Sequence, residues 1–391
     1  MAVQVLTTQP NWTTPVLERL EWKTEVLKSR KGTEQRIKLR EHPRHLMEYD
    51  FLVYKEEYRA LQTQLLRWQG AKWIIPLWMH SQQLTAQAVI GSTRIYLKTA
   101  TYEFQVDSHV HLSISPTQSE YLPVYFVGEN YIDLSAPVTR TWPVGTLAVP
   151  ARYGRLASSI KISGITSEVV TGTLQVNLDN TKAFTDFVAT YVDSLLYFGD
   201  EPNRANTLNM EWSRNQAVLD YGTGPVTTYD LQGYSEIIRS YEYLSLNRAS
   251  QNKIRSLLSH CKGMRSPFLI PTFQADISVP AGLSLLGTGS TLQINSVNYE
   301  AYMRSRLTYP YLRIELNNAA PLVMRVQSAT PPVNGLEQLS FTKPFGVAFK
   351  SENIKRISYV NMSRLDSDSV EFNWTTPNIV SMAVPIRGIP E

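Results

Sequence analysis

Cysteine is almost missing from this 391-residue sequence. The single copy, Cys261, excludes an intrachain disulfide and any zinc or iron–sulfur site built on several thiolates. Long apolar runs are missing too: the longest are strand-sized, such as Trp73–Trp78, well short of the ~18 residues that mark a membrane-crossing helix. The opening MAVQVLTTQPNWTTP lacks the basic start and apolar stretch of a secretory signal, so folding in a cytoplasm and solubility there are expected. The common catalytic signatures are missing as well. There is no Gly-x-x-x-x-Gly-Lys-Ser/Thr phosphate loop, no His-Glu-x-x-His and no Gly-x-Ser-x-Gly elbow. Leu286–Ser290 is glycine-rich but has neither a third glycine nor a following helix, and reads as a hairpin turn. No cofactor, metal or catalytic residue is assigned, and the chain is not read as an enzyme.

What is present points to β-structure. Hydrophobic residues make up 43% and charged residues 18%, a globular balance far from that of disordered chains. Tyr (21) and Trp (8) are plentiful, and Thr and Val recur in short runs, which suits half-buried pleated surfaces. The length fits two or three domains, and the net charge of +4 does not by itself imply a nucleic-acid partner.

The sequence repeats itself once. Pro10-Asn11 before Leu20-Glu21-Trp22 is echoed by Pro202-Asn203 before Met210-Glu211-Trp212. Glu48–Leu52 is echoed by Tyr241–Leu244. Each is followed by a helical pattern: Tyr58, Leu61, Leu65 and Trp68 in the first half, and Ile254, Leu257, Leu258 and Cys261 in the second, with Ser250 as N-cap. Gly70 and Gly263 stand where left-handed caps would end the helices. Trp73–Trp78 then matches Phe268–Phe273, each with a central proline. Further pairs are Gly91–Thr93 with Gly289–Thr291, Tyr102-Glu103 with Tyr299-Glu300, Tyr121-Leu122 with Tyr311-Leu312, Pro143–Gly145 with Pro344–Gly346, and Thr173–Asn177 with Ser369–Asn373. The offsets run from 190 (Tyr121 to Tyr311) to 201 (Pro143 to Pro344). The expected fold is mainly β (α+β), with a first unit at 1–190, a linker at 191–204 and a second, diverged unit at 205–391. Ala183–Phe198 reads as a short helix, and alternation places strands around Ile95–Thr99 and at an edge near Ile160–Ser163.

Several residues could carry chemistry and each has a plainer reading. Asp107, His109 and His111 share one face of a strand and could converge on a metal, but serve equally as packed or exposed strand residues. Cys261 lies on a buried helix face, with His260 pointing elsewhere, and reads as a core thiol. Glu56-Glu57 and Asp366/Asp368 are paired acids that a solvated surface also explains.

The strongest local signal is basic. Lys28–His45 carries Lys28, Arg30, Lys31, Arg36, Lys38, Arg40 and Arg44 against Glu34 and Glu41, a net of +5. With Gly32 and Pro43 inside, it reads as a loop too long for a tight hairpin. Three roles are open: a solvated loop, a phosphate contact, though no aromatics interleave to stack bases, or a contact in which arginine forks grip carboxylates of a neighbour. The counterpart Leu219–Ile238 has no basic residue and carries only Asp220, Asp230 and Glu236, which suits two different neighbours.

This region resembles a known family. Leu20–Leu27, Ser29–Arg36, Leu39-Arg40, Pro43-Arg44 and Glu48-Tyr49, together with Trp142–Thr146, resemble distal-tail and tail-hub proteins of long-tailed phages, closely over residues 10–80 and more loosely to 180. The resemblance implies two tandem tail-tube-like β-sandwich units, each flanked by one α-helix, with a long loop reaching an adjacent subunit. The cysteine cluster that holds an iron–sulfur centre in some hub families has no counterpart here. Carried to this chain, it implies a structural subunit of a tail tip or baseplate, forming a ring around the tail channel and joining the tail tube to the tip. Three two-unit chains would replace six one-unit chains, a homotrimer with pseudo-sixfold symmetry. Expected partners are further copies of the chain, the tail tube protein, other tail-tip or fibre proteins, and a tape measure protein or DNA in the channel; the expected location is the virion tail tip, after assembly in the host cytoplasm. Arg30, Lys31, Arg36, Lys38, Arg40 and Arg44 become candidate intersubunit contacts. The alternatives are a hexameric distal ring that carries receptor-binding or fibre proteins, with Trp374 and Tyr299–Tyr311 as candidate carbohydrate-binding aromatics, and a cell-envelope-degrading enzyme.

Overall fold

Period-two alternation shapes the main feature of the structure. In Arg44–Tyr54, His45, Met47, Tyr49, Phe51 and Val53 are buried while Glu48 and Asp50 face the other way. A computed structural model describes residues 4–115, 118–179, 190–304 and 309–389. It is mainly β, with two 14-residue helices, α1 (Lys55–Trp68) and α2 (Arg248–Cys261). No helix among these residues is long and apolar enough to cross a membrane.

Eight strands form one long antiparallel ladder. The first half supplies β1 (Val16–Glu21), β2 (Arg44–Tyr54), β3 (Ile162–Gly164) and β4 (Val169–Leu178). The second supplies β5 (Met210–Ser213), β6 (Glu236–Ser245), β7 (Ser369–Thr376) and β8 (Ile379–Gly388). Their order is β5–β6–β8–β7–β1–β2–β4–β3. The two halves are joined where β1 lies against β7, with Leu20 opposite Val370 and Glu18 opposite Phe372. That seam buries Val16, Leu20, Val370, Phe372 and Trp374, each worth about 1.5–3 kcal/mol of apolar transfer. The largest core runs through both halves, from Leu6 and Trp73 to Leu258, Trp374 and Ile386. Smaller cores lie under Leu84–Ala148 and Ile237–Tyr359.

The pairing order repeats between the halves. Strand Leu147–Leu156 pairs with β4, Trp73–Pro76 and His109–Ser115; strand Ile354–Leu365 pairs in the same way with β8, Phe268–Pro271 and Tyr311–Leu316. Tyr49 stands opposite Leu174, and Tyr241 opposite Val384. Short parallel strands flank both proline-bearing runs, Gln4–Val5 beside Trp73-Ile74 and Tyr197 beside Leu269.

This register corrects three of the sequence matches. Tyr311 takes the place of His109, since they face Val360 and Ala151, not that of Tyr121. The counterpart of Thr173–Asn177 lies in β8, not at Ser369–Asn373. Leu20 is level with Trp212, two residues from the match drawn through Glu-Trp. In a period-two element a slip of two keeps the same residue types on the same face, so dipeptides align in the wrong frame.

Local elements differ in places too. Asn247, not Ser250, caps α2: its Oδ1 accepts the Ser250 N–H at 2.9 Å. Gly263 is left-handed at φ +76°, but α1 ends in right-handed Gln69 and Gly70 stays out of the left-handed region. The expected helix at 183–198 is, from residue 190 on, the strand pair Thr190–Val192 and Leu195–Tyr197; residues 183–189 lie outside the described residues. The segment 191–204 thus contributes a strand to the second half's sheet. The basic segment is not an open loop either. Thr24–Lys28 and Glu34–Lys38 form a hairpin whose turn, Ser29–Thr33, closes with the Ser29 N–H on the Thr33 carbonyl at 2.8 Å. Gln216–Leu219 and Thr227–Asp230 form a second hairpin at the matching place.

Candidate functional site

Three features are built with enough specificity to carry a role: the basic hairpin, a buried ion-pair network at the seam, and the two open ends of the long sheet.

The basic hairpin is docked on the second half of its own chain. Arg364 grips the Glu34 carboxylate with two bonds, 2.7 and 2.8 Å, both groups nearly dry. Lys28 pairs with Glu236, which also takes Arg387 at 2.6 Å. Asp368 accepts the Thr24 N–H at 2.6 Å and the Met264 N–H at 3.0 Å, and Asp366 holds Arg387 at 2.6 Å. The acid pair Asp366/Asp368 therefore anchors the hairpin and is not a solvated surface. Gly32, at φ +88°, sits where any Cβ would collide with the Tyr234 hydroxyl.

The candidate contact residues separate accordingly. Arg36 is half-buried with Glu34 at 3.9 Å. Lys38 pairs with Glu41, whose carboxyl is held at about 2 by Lys262 and Lys38. Arg40 ties the hairpin base to the Glu21 carbonyl at 2.6 Å. Arg30, Lys31 and Arg44 are exposed and available to another molecule. The arginine fork expected of this segment exists, but Arg364 supplies it and the segment supplies the carboxylate.

At the seam, α2 of the second half meets the first half through buried charges. Arg255 donates to Glu18 and, at 2.5 Å, to Glu103; Arg152 donates to the other Glu103 oxygen at 2.5 Å. His45 Nε2 lies 2.7 Å from Glu18, and Trp374 Nε1 donates to Glu18 at 2.9 Å. Arg248 donates to His80 Nδ1 at 3.1 Å and to the carbonyls of Met79 and Pro377. Burial alone would raise Glu18, but Arg255 and His45 outweigh it and hold this carboxyl well below its usual range. Burial, then Arg248 and Arg255, pushes His80 far down, so it is neutral.

Glu18, His80 and Glu103 bring ligand atoms within 4.8 Å of one another, a spacing that could hold a metal ion. The charges argue against one. Two carboxylates already face Arg152 and Arg255, with Arg248 on His80 beside them, and a divalent cation would add to this buried positive charge. Nothing in the spacing of these residues announced the network. The one signal was Glu18 itself, a carboxylate in the apolar stripe Val16-x-Glu18-x-Leu20.

The other candidates resolve into packing. His111 stacks on Tyr121 with centroids 4.3 Å apart and meets Trp78 edge-on; burial lowers it to about 3. His109 packs edge-on to Tyr153, and the donors of Asp107, His109 and His111 do not converge among the described residues. Cys261 is fully buried, which pushes its thiol well up. Glu56 and Glu57 are an exposed residue and a partly exposed one in the first turn of α1. Trp374, Tyr299 and Tyr311 are 0–1% exposed and are not carbohydrate-binding aromatics; within the Tyr299–Tyr311 cluster Tyr302 alone is exposed.

The ends of the long sheet are different. β5 pairs only with β6, and β3 only with β4, among the described residues. Trp212 on β5 is 61% exposed, and Glu211 and Lys161 are exposed. Beside β5 lies a cleft of about 520 Å³ whose lining includes Met210, Trp212, Tyr302, Tyr309 and Tyr359 and the charged Arg239 and Asp276. Comparison of the chain with protein-family models and with curated proteins gives no match.

Proposed function

We propose that the chain is a structural ring subunit of a phage tail tip: a hub built from two tail-tube-like sandwich units, three copies of which surround the tail channel. The observation that carries this is the seam. β1 of the first half extends the sheet of the second half through β7, so one chain already shows how one unit continues into the next. The sheet's open face is mixed, with Leu17, Leu46, Leu52 and Leu244 among the polar Arg19, Glu48, Asp50, Gln175, Asn177, Glu242 and Glu371; Gln175 bonds Glu48 at 2.7 Å and Thr173 bonds Asp50 at 2.6 Å. A face of this kind suits a wet channel wall.

Size supports the same reading. Three copies of eight strands close into 24, at ~4.8 Å per strand a barrel roughly 37 Å across before strand tilt widens it. Barrels of fewer strands already enclose water, so such a ring holds a channel and not a packed core. Further partners in this reading are the tail tube on one side and tip or fibre proteins on the other. The hexameric distal ring drew on Trp374 and Tyr299–Tyr311; Trp374, Tyr299, Tyr309 and Tyr311 are buried, which leaves Tyr302, 69% exposed, as its one aromatic on the surface.

Native mass spectrometry of the full chain, at moderate and at high salt, tests the proposal. A trimer is expected. A hexamer would replace the hub by the distal ring, and a monomer under every condition would remove the ring.

A further inference from the structure

The seam between the two halves is a template for a contact between copies. In the ladder β5–β6–β8–β7–β1–β2–β4–β3, each half contributes four strands in the same order, and β7–β1 is the one place where they meet. The repeated register makes β5 the counterpart of β1, and β3 the counterpart of β7. Glu18 faces Met47 and Met210 faces Arg239, at matching places in β2 and β6. Phe372 faces Met382 and Ile162 faces Gly172, at matching places in β8 and β4.

We infer that β5 of one copy pairs antiparallel with β3 of the next, in the register of the seam, with Met210 opposite Ile162, Glu211 opposite Lys161 and Trp212 opposite Ile160. This rests on the ring reading and names its contact.

The residue types fit position by position. At the seam, Arg19 and Glu371 are directly opposite and paired on the open face. The same position between copies holds Glu211 and Lys161, the same kind of pair with its signs exchanged. On the core-facing side, the seam sets Leu20 against Val370 and Glu18 against Phe372. Between copies those positions hold Trp212 against Ile160 and Met210 against Ile162, apolar on both strands. Trp212, largely exposed in the single chain, gains a partner, and the cleft beside β5 receives the two isoleucines. Ile160 and Lys161 lie just before β3 and are drawn into the strand. Two unpaired edges, which invite indiscriminate pairing when left open, are consumed together. The contact is head-to-tail, so it propagates until the ring closes.

The test is a cross-link in the full chain. Lys161→Cys combined with Glu211→Cys places two thiols directly opposite, at the ~4.5–5.5 Å Cβ separation of facing strand residues, within reach of a disulfide. Seven strand spacings, roughly 34 Å, separate the two positions within one chain, so any bond joins two copies. Mild oxidation is expected to give covalent dimers and trimers and nothing larger on a non-reducing gel. Lys161→Cys with Asn209→Cys, on the same face but two residues out of register, is expected to give at least tenfold less. Native mass spectrometry of the reduced variants separates the two readings. A trimer that does not cross-link, or that cross-links equally in both pairs, overturns the register and leaves the ring. A monomer overturns both.

Discussion

Arg255 holds Glu18 and Glu103 with the two ends of one guanidinium, and in doing so fixes α2 of the second half to strands of the first. Buried ions of this kind cost much to desolvate and repay it only when every partner is present. Histidines buried in the neutral form make the fold sensitive to acid. His111 is at about 3 in the folded chain, and an unfolded histidine titrates near 6.5. Between those values the unfolded state binds the extra proton. The stability contributed by the neutral ring is therefore complete above about pH 6.5 and lost progressively as pH falls towards 3. Glu18, lowered when folded, adds an acid loss below the ordinary carboxylate range. Urea midpoints should thus drop between pH 7 and pH 4.5, and His111→Phe, which keeps the stack on Tyr121, should drop less. Equal drops would show that this histidine does not titrate on unfolding.

At the scale of elements, the driest of the hairpin's anchors is the pair of Arg364 and Glu34. Removing Arg364 strands Glu34 at 6% exposure, with Arg36 no nearer than 3.9 Å. A cost of about 3 kcal/mol follows, so the hairpin in Arg364→Ala should open roughly a hundredfold more often. Amide exchange at Glu34–Lys38 measures this directly, and protection unchanged from the native chain would place the anchor elsewhere. The sequence made some elements legible and hid others for physical reasons. Helix α2 was plain, because Ile254, Leu257, Leu258 and Cys261 recur at helical spacing and all are buried. So were the alternating strands and the proline-bearing runs. The hairpin was hidden because Thr-Glu-Val-Leu-Lys and Glu-Gln-Arg-Ile-Lys are polar on both faces, with no apolar stripe to reveal a period. The seam network was hidden because its members come from distant strands and a helix, and only folding brings them together.

The whole molecule has no obvious dividing line. The sheet and the largest core both run through the two halves, so neither half can lose its packing without exposing the other's. Unfolding in denaturant should show a single transition, with tryptophan fluorescence and far-ultraviolet circular dichroism changing together. Two separated transitions would mean that the seam adds little to either half.

The seam also has a consequence for synthesis. Arg19 and Glu371 pair across 352 positions of the chain. A ribosome adding 5–20 residues per second leaves β1 waiting roughly 20–70 s for its partner strand. For that interval the nascent chain carries a strand paired on one side only, by β2, with its other edge open. A cell making this protein in quantity must either shield that strand or let completed chains find one another first.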